Sequence, residues 1–285
     1  MTADPDPAHA AAPRAIRPVR RLAWLTDLHL NFVTASHVER LCRSVAESGA
    51  DAVLLTGDIG EAHDVEPLLE ALDAGLGMPL YFVLGNHDFY GGGIARVRAG
   101  IQALCARSPR LIYLTQAEVV ALTGETGLIG HDGWADGRLG DYDRSEVLLN
   151  DYRLIEELAG LDKEARLGRL HALGDEAAAH LRALLPEALG RRFRRLIVLT
   201  HVPPFREACW HRGRISDDDW APHFACRAVG EVLREAMAAH VECEMTVLCG
   251  HTHSPGEAQV LSNLRVLTGG AEYGRPEVQR VLTVP

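Results

Sequence analysis

Long apolar runs are missing from this chain of 285 residues: no stretch of about 18 hydrophobic residues occurs, so none reads as a membrane-spanning helix. Paired cysteines are missing as well. Six cysteines (Cys42, Cys105, Cys209, Cys226, Cys243, Cys249) lie scattered without a CxxC pair, which argues for reduced thiols in the cytoplasm and against a disulfide framework. Basic charge is scarce. The formal net charge of −10 disfavours broad nucleic-acid binding, which needs a basic surface. The run RRFRR at 191–195 is the obvious exception and reads as a solvated entry to the apolar strand that follows it. The N-terminus is rich in Ala and Pro and carries several arginines but lacks the apolar core of a signal peptide. Residues 1–20 are therefore expected to form a flexible tail without secretory function, and 21–285 a single domain.

What is present is a series of short apolar runs: LAWLTD (22–27), AVLLTG (52–57), LYFVLG (80–85), GLIGHD (127–132), LIVLTH (196–201) and MTVLCG (245–250). Helical patterns near 36–49, 63–75 and 92–106 separate the first runs, which implies an α/β layered fold. GEAQVL, LRVLTGG and VQRVLTV follow one another near the C-terminus and read as an antiparallel addition. Residues 143–190, rich in Leu, Ala, Glu and Arg, predict an insert of two helices. It either flanks the crevice or forms plain outer-layer helices.

The informative regularity lies at the ends of the runs. TDLH, GDIG, GNHD, TH and GHTH close five of the six. Open α/β sheets place ligands at the carboxyl ends of their strands, so Asp27, His29, Asp58, Asn86, His87, His201, His251 and His253 are expected to converge. Imidazoles with carboxylates and an amide suit Zn, Mn or Fe, and the lack of thiolates speaks against a closed structural zinc site. In DLH and HTH the polar residues are two apart, and an extended segment would point both to one side.

With these blocks in order, the chain resembles the calcineurin-like metallophosphoesterase superfamily, whose pattern is D-x-H, G-D, G-N-H-[D/E], H, G-H-x-H. It reads here as DLH 27–29, GD 57–58, GNHD 85–88, TH 200–201 and GHTH 250–253. The resemblance covers about residues 20–283 and implies a four-layer α/β/β/α sandwich. It further implies two metal ions: one on Asp27, His29 and His253, the other on Asn86, His201 and His251, with Asp58 bridging. Two divalent ions, two carboxylates and a bridging hydroxide would leave a formal charge of about +1, attractive to a phosphate ester. In-line attack by that hydroxide, with His87 serving the leaving oxygen as acid, is the implied reaction. Glu61 stands where some relatives supply a carboxylate to orient that histidine, although a Glu near a helix N-terminus is also favoured by the dipole.

The chain departs from several subfamilies. It lacks the GDxxDRG and GNHE of protein phosphatases, carries Glu61 where purple acid phosphatases have Tyr, and keeps His87 where lipid-A-pathway relatives have Arg. The bacterial class of cyclic-nucleotide and glycerophosphodiester phosphodiesterases fits best. Small phosphodiesters or nucleotides are the expected substrates, with phosphomonoesters or a non-catalytic metal-binding scaffold as alternatives. His131, which follows a strand end, Arg206, in the long segment after His201, and Tyr273, after the TGGA strand end, are candidate substrate contacts.

Overall fold

The computed structural model describes residues 19–285; residues 1–18 of the expected tail lie outside them. Arg20 is not loose. Its N–H and that of Arg21 both donate to Asp51 Oδ2 at 2.9 Å, and its carbonyl accepts Val284 N.

The first half alternates β1 (Arg21–Leu25), α1 (Ala35–Glu47), β2 (Ala52–Thr56), α2 (Val65–Leu76), β3 (Leu80–Val83), α3 (Ile94–Arg107) and β4 (Leu111–Tyr113). The helices follow from apolar spacing. In α2, Val65, Leu69, Leu72 and Leu76 are buried, a three-to-four residue period that lines one face; the helix stops at Gly77, which is left-handed (φ 64°). These strands pair in parallel.

The second half runs β5 (Val120–Ala121), β6 (Thr126–Gly130), α4 (Asp151–Leu154), α5 (Lys163–Gly190), β7 (Arg195–Leu199), β8 (Trp210–His211), β9 (Arg214–Ile215), α6 (Ala221–Phe224), α7 (Arg227–Ala239), β10 (Glu244–Cys249), β11 (Gly256–Leu261), β12 (Leu264–Thr268) and β13 (Arg280–Thr283). The larger sheets have the orders β13-β1-β2-β3-β4 and β11-β12-β10-β7-β6-β5.

Alternation along the strands creates four layers. Leu22, Trp24 and Leu54 meet Leu128, Ile197 and Leu199 in a core between the sheets. Ala23, Leu25, Val53 and Leu55 face α1, α2 and α3, whereas Val198, Val247 and Val266 face α5 and α7. This is the α/β/β/α sandwich.

Two details differ from the sequence reading. The C-terminal runs are not one antiparallel unit: β11 is antiparallel to β12, but β12 is parallel to β10, and β13 crosses to the other sheet to pair with β1. The insert holds one long helix and one short turn, with opposite placements. α5 buries Ala177, Leu181 and Leu185 against the second sheet and α7, while Asn150 and Asp151 line the crevice. The two alternatives each describe part of the insert.

Candidate metal centre

The ends of β1, β2, β3, β7 and β10 deliver their polar residues to one place. Asp27, His29, Asp58 and His253 each bring a ligand atom within 4.8 Å of the others. His29 Nε2 lies 3.1 Å from His253 Nε2 and 3.7 Å from Asp58 Oδ2, and His253 Nε2 lies 3.5 Å from Asp27 Oδ1. On the other side, Asn86 Oδ1 is 3.0 Å from His201 Nε2 and 2.9 Å from His251 Nδ1. Asp58 stands between the groups, its Oδ1 3.4 Å from His201 Nε2.

The pairs of DLH and HTH do not converge by being extended. Asp27, His29, Asp58, His251 and His253 all have φ between 43° and 70°, left-handed backbone that costs a non-glycine residue about 1–2 kcal/mol. Arg192 and Arg212 are the other non-glycine residues with positive φ among those described. Strain is thus concentrated where strands break off into the polar cluster, a pattern associated with functional sites. The glycines before Asn86 and His251 are explained by contact. A Cβ on Gly85 would lie 2.1 Å from Asp58 Oδ1, and one on Gly250 would lie 1.9 Å from Asp27 Oδ2.

The donor chemistry fits a metal. Asn86 Nδ2 donates to Asp151 Oδ1 (2.8 Å) and to the Tyr90 hydroxyl (3.2 Å), which turns Oδ1 inward. His251 Nε2 faces the His223 carbonyl at 3.1 Å, so it carries the ring proton and Nδ1 presents a lone pair to Asn86 Oδ1. Two lone pairs held 2.9 Å apart call for a cation between them. Burial holds His29 and His251 at about 3, so both are neutral and able to ligate at neutral pH. His201 goes the other way. Burial opposes its charge, yet Asp58 and Asp27 push it up to about 10, a measure of how strongly the cluster attracts positive charge.

The chain matches the family described as calcineurin-like phosphoesterase over residues 20–255. It belongs to that family.

The family is one of metal-dependent hydrolases of phosphate esters. A UDP-2,3-diacylglucosamine hydrolase of Yersinia enterocolitica is 31% identical to this chain over 117 residues, 36% of this chain and 47% of the relative. The chain thus matches about half the length of that relative. The phosphopantetheinyl hydrolase of Mycobacterium tuberculosis superposes with a TM-score of 0.63 at 16% identity, covering 90% of this chain and 91% of that one. A dimetal phosphatase from Danio rerio gives 0.55 at 15% identity, covering 91% and 89%. At such identities these two solved structures show a shared fold.

The remaining candidates separate by position. His87 and Tyr273 line a crevice of about 250 Å³ together with Asp58, His251 and His253. The His87 ring stacks on Tyr90 (centroids 4.2 Å) and meets His29 edge-on (4.6 Å), and its Nδ1 is buried without a partner among the described residues. Tyr273 lies 4.5 Å from the His29 ring and is half exposed.

Three expectations are corrected. Glu61 does not reach His87: its carboxylate approaches Asn31 (3.4 Å) and His63 (3.9 Å), while Asp64 Oδ1 caps its own N–H. His131 turns beneath α5, its ring 5.0 Å from that of His180 and its Nδ1 accepting Gly133 N. Arg206 pairs with Asp218 at 2.7 Å and lines a different cavity beside Arg227 and Arg234.

Asp151 and Tyr90 are the site residues that sequence reasoning missed. Tyr90 follows GNHD at once and could have been suspected, whereas Asp151 sits 65 positions from its partner. Asp88, inside the motif, is a tie between loops: Oδ1 accepts Ile59 N and Gly60 N, and Oδ2 accepts Gly85 N, all within 2.9 Å.

Proposed function

We propose that the chain is a dinuclear phosphodiesterase acting on small phosphodiesters or nucleotides in the cytoplasm. The observation that carries this reading is the division of Asp58, with Oδ2 toward His29 and Oδ1 toward His201. One ion is assigned to Asp27, His29 and His253, the other to Asn86, His201 and His251, and Asp58 to both. Manganese, iron and zinc all suit such donors. When bound, the pair supplies Lewis acidity that lowers the pKa of a nucleophilic water and offsets phosphoryl charge.

The chain's own residues do the rest. His87 lines the crevice but lies outside both ligand sets; it donates a proton to the leaving oxygen, its ring held by Tyr90 and His29. Tyr273 offers a half-exposed aromatic face to the ester's organic arm. Neither Lys nor Arg lines the crevice among the described residues. A monoester dianion would bring a second negative charge with no side-chain cation to meet it, whereas a diester brings one. Six free thiols, five of them buried, support a reducing cytoplasmic setting. Among the described residues no helix is long and apolar enough to cross a membrane.

Comparing kcat/KM for bis(p-nitrophenyl) phosphate and p-nitrophenyl phosphate, on protein loaded separately with Mn, Fe and Zn, tests the proposal. A preference for the diester of about tenfold or more is expected. The reverse preference would make the chain a phosphomonoesterase, and metal uptake without turnover of either ester would make it a binding or scaffold protein.

A further inference from the structure

Two adjacent residues outside every motif, Asp151 and Tyr152 of α4, reach opposite sides of one half of the centre. The buried Asp151 carboxylate accepts Asn86 Nδ2 at 2.8 Å and the Tyr90 hydroxyl at 2.6 Å through the same oxygen. With Asn86 Nδ2 also 3.2 Å from that hydroxyl, the amide is pinned in the one orientation that turns Oδ1 toward His201 and His251.

Tyr152, equally buried, hydrogen-bonds through its hydroxyl with His223 Nδ1 at 2.5 Å, and Ser145 Oγ lies 3.0 Å from the other ring nitrogen. Held at both nitrogens, His223 presents its backbone carbonyl to His251 Nε2, which leaves His251 Nδ1 facing Asn86. The Arg166 guanidinium, 4.3 Å over the Tyr152 ring, ties this arrangement to α5. Asp27, His29 and His253 have no hydrogen bond to α4 among the described residues.

We infer that the pair Asp151–Tyr152 sets the affinity of the Asn86–His201–His251 half for its ion and leaves the Asp27–His29–His253 half unaffected. The inference rests on the dinuclear reading. Both are positioning residues. They act on ligand orientation, and removing such outer partners typically weakens metal binding by about 10–100-fold.

The test is calorimetric titration of metal-stripped full-length protein with Mn(II), with electron paramagnetic resonance reporting whether the bound ions are spin-coupled. The wild type should bind two ions and show a coupled spectrum. Asp151→Ala should keep one step near its wild-type affinity and weaken the other by about 100-fold, giving an uncoupled six-line spectrum at limiting metal. The near-isosteric Asp151→Asn retains an acceptor and should weaken the same step by about tenfold, with Tyr152→Phe no larger. His253→Ala, which strikes the opposite half, combined with Asp151→Ala should lose both steps. Equal weakening of both steps in Asp151→Asn, or unchanged binding in Asp151→Asn and Tyr152→Phe, would overturn the inference. Fewer than two ions on the wild type would instead overturn the dinuclear reading, and the inference with it.

Discussion

In the proposed half-site of Asn86, His201 and His251, each side chain has its far side taken. His201 Nδ1 faces the Thr56 carbonyl at 2.7 Å, His251 Nε2 faces the His223 carbonyl, and Asn86 Nδ2 donates to Asp151 and Tyr90. In the proposed half-site of Asp27, His29 and His253, His29 Nδ1 is buried and has no hydrogen-bond partner among the described residues. There the aim comes mainly from the backbone: all three residues are left-handed, whereas in the first half only His251 is. Asp27 alone has its side chain supported by hydrogen bonds, from Thr26 Oγ1 at 2.5 Å and from the His251 N–H at 2.9 Å. Hydrogen bonds preorganise the first of these halves, and conformational strain of about 1–2 kcal/mol per residue aims the second. An outer-partner mutation should therefore reach one half and spare the other.

The residue shared by the halves gives the largest expected effect. Asp58→Ala removes the oxygen that each half uses, so diesterase activity should fall by several orders of magnitude. Circular dichroism should still show a folded protein, because the site lies at strand ends outside the core. Retained turnover in a variant carrying two ions would break the bridging assignment.

His87→Ala is next. With metal content intact, hydrolysis of an alkyl phosphodiester should drop about 10²–10⁴-fold, because the departing alkoxide needs a proton. Hydrolysis of bis(p-nitrophenyl) phosphate should change little. Equal losses on the two esters would remove the acid role.

The glycines sharpen the comparison at smaller cost. Gly85→Ala drives a methyl into Asp58 Oδ1 and toward His201 Cε1, so both ions should weaken and turnover should fall about 10²-fold. Gly250→Ala strikes Asp27 and Thr26, so metal titration should show one step weakened and the other kept.

The smallest effect lies outside both halves. Burial, with Arg98 and His180 nearby, holds His131 at about 3. The folded value is below that of the unfolded chain, so the stability this ring contributes is present above about pH 6.5 and is lost as pH falls toward 3. His131→Gln should flatten the decline of Tm between about pH 6.5 and about pH 4 while leaving metal stoichiometry unchanged. An unaltered acid profile would show that other groups govern it.

By itself the sequence determined nine of the thirteen strands (β4, β5, β8 and β9 are too short to read), the first three helices, the set of converging residues and, through their order, the family. Those signals are local: apolar periods of two or three to four residues, and runs that end in glycine and release polar groups. Which candidates face the crevice was settled by tertiary structure. Glu61, His131 and Arg206 found partners elsewhere, and β13 crossed to the other sheet. The left-handed turns of DLH and HTH are likewise held by contacts between loops, such as His29 N to the Asp58 carbonyl and His251 N to Asp27 Oδ1. Asp151 and Tyr152 act across separations of 61, 65 and 71 residues. A single polar side chain carries no periodic signature, so its role exists only once folding has brought its distant partner beside it.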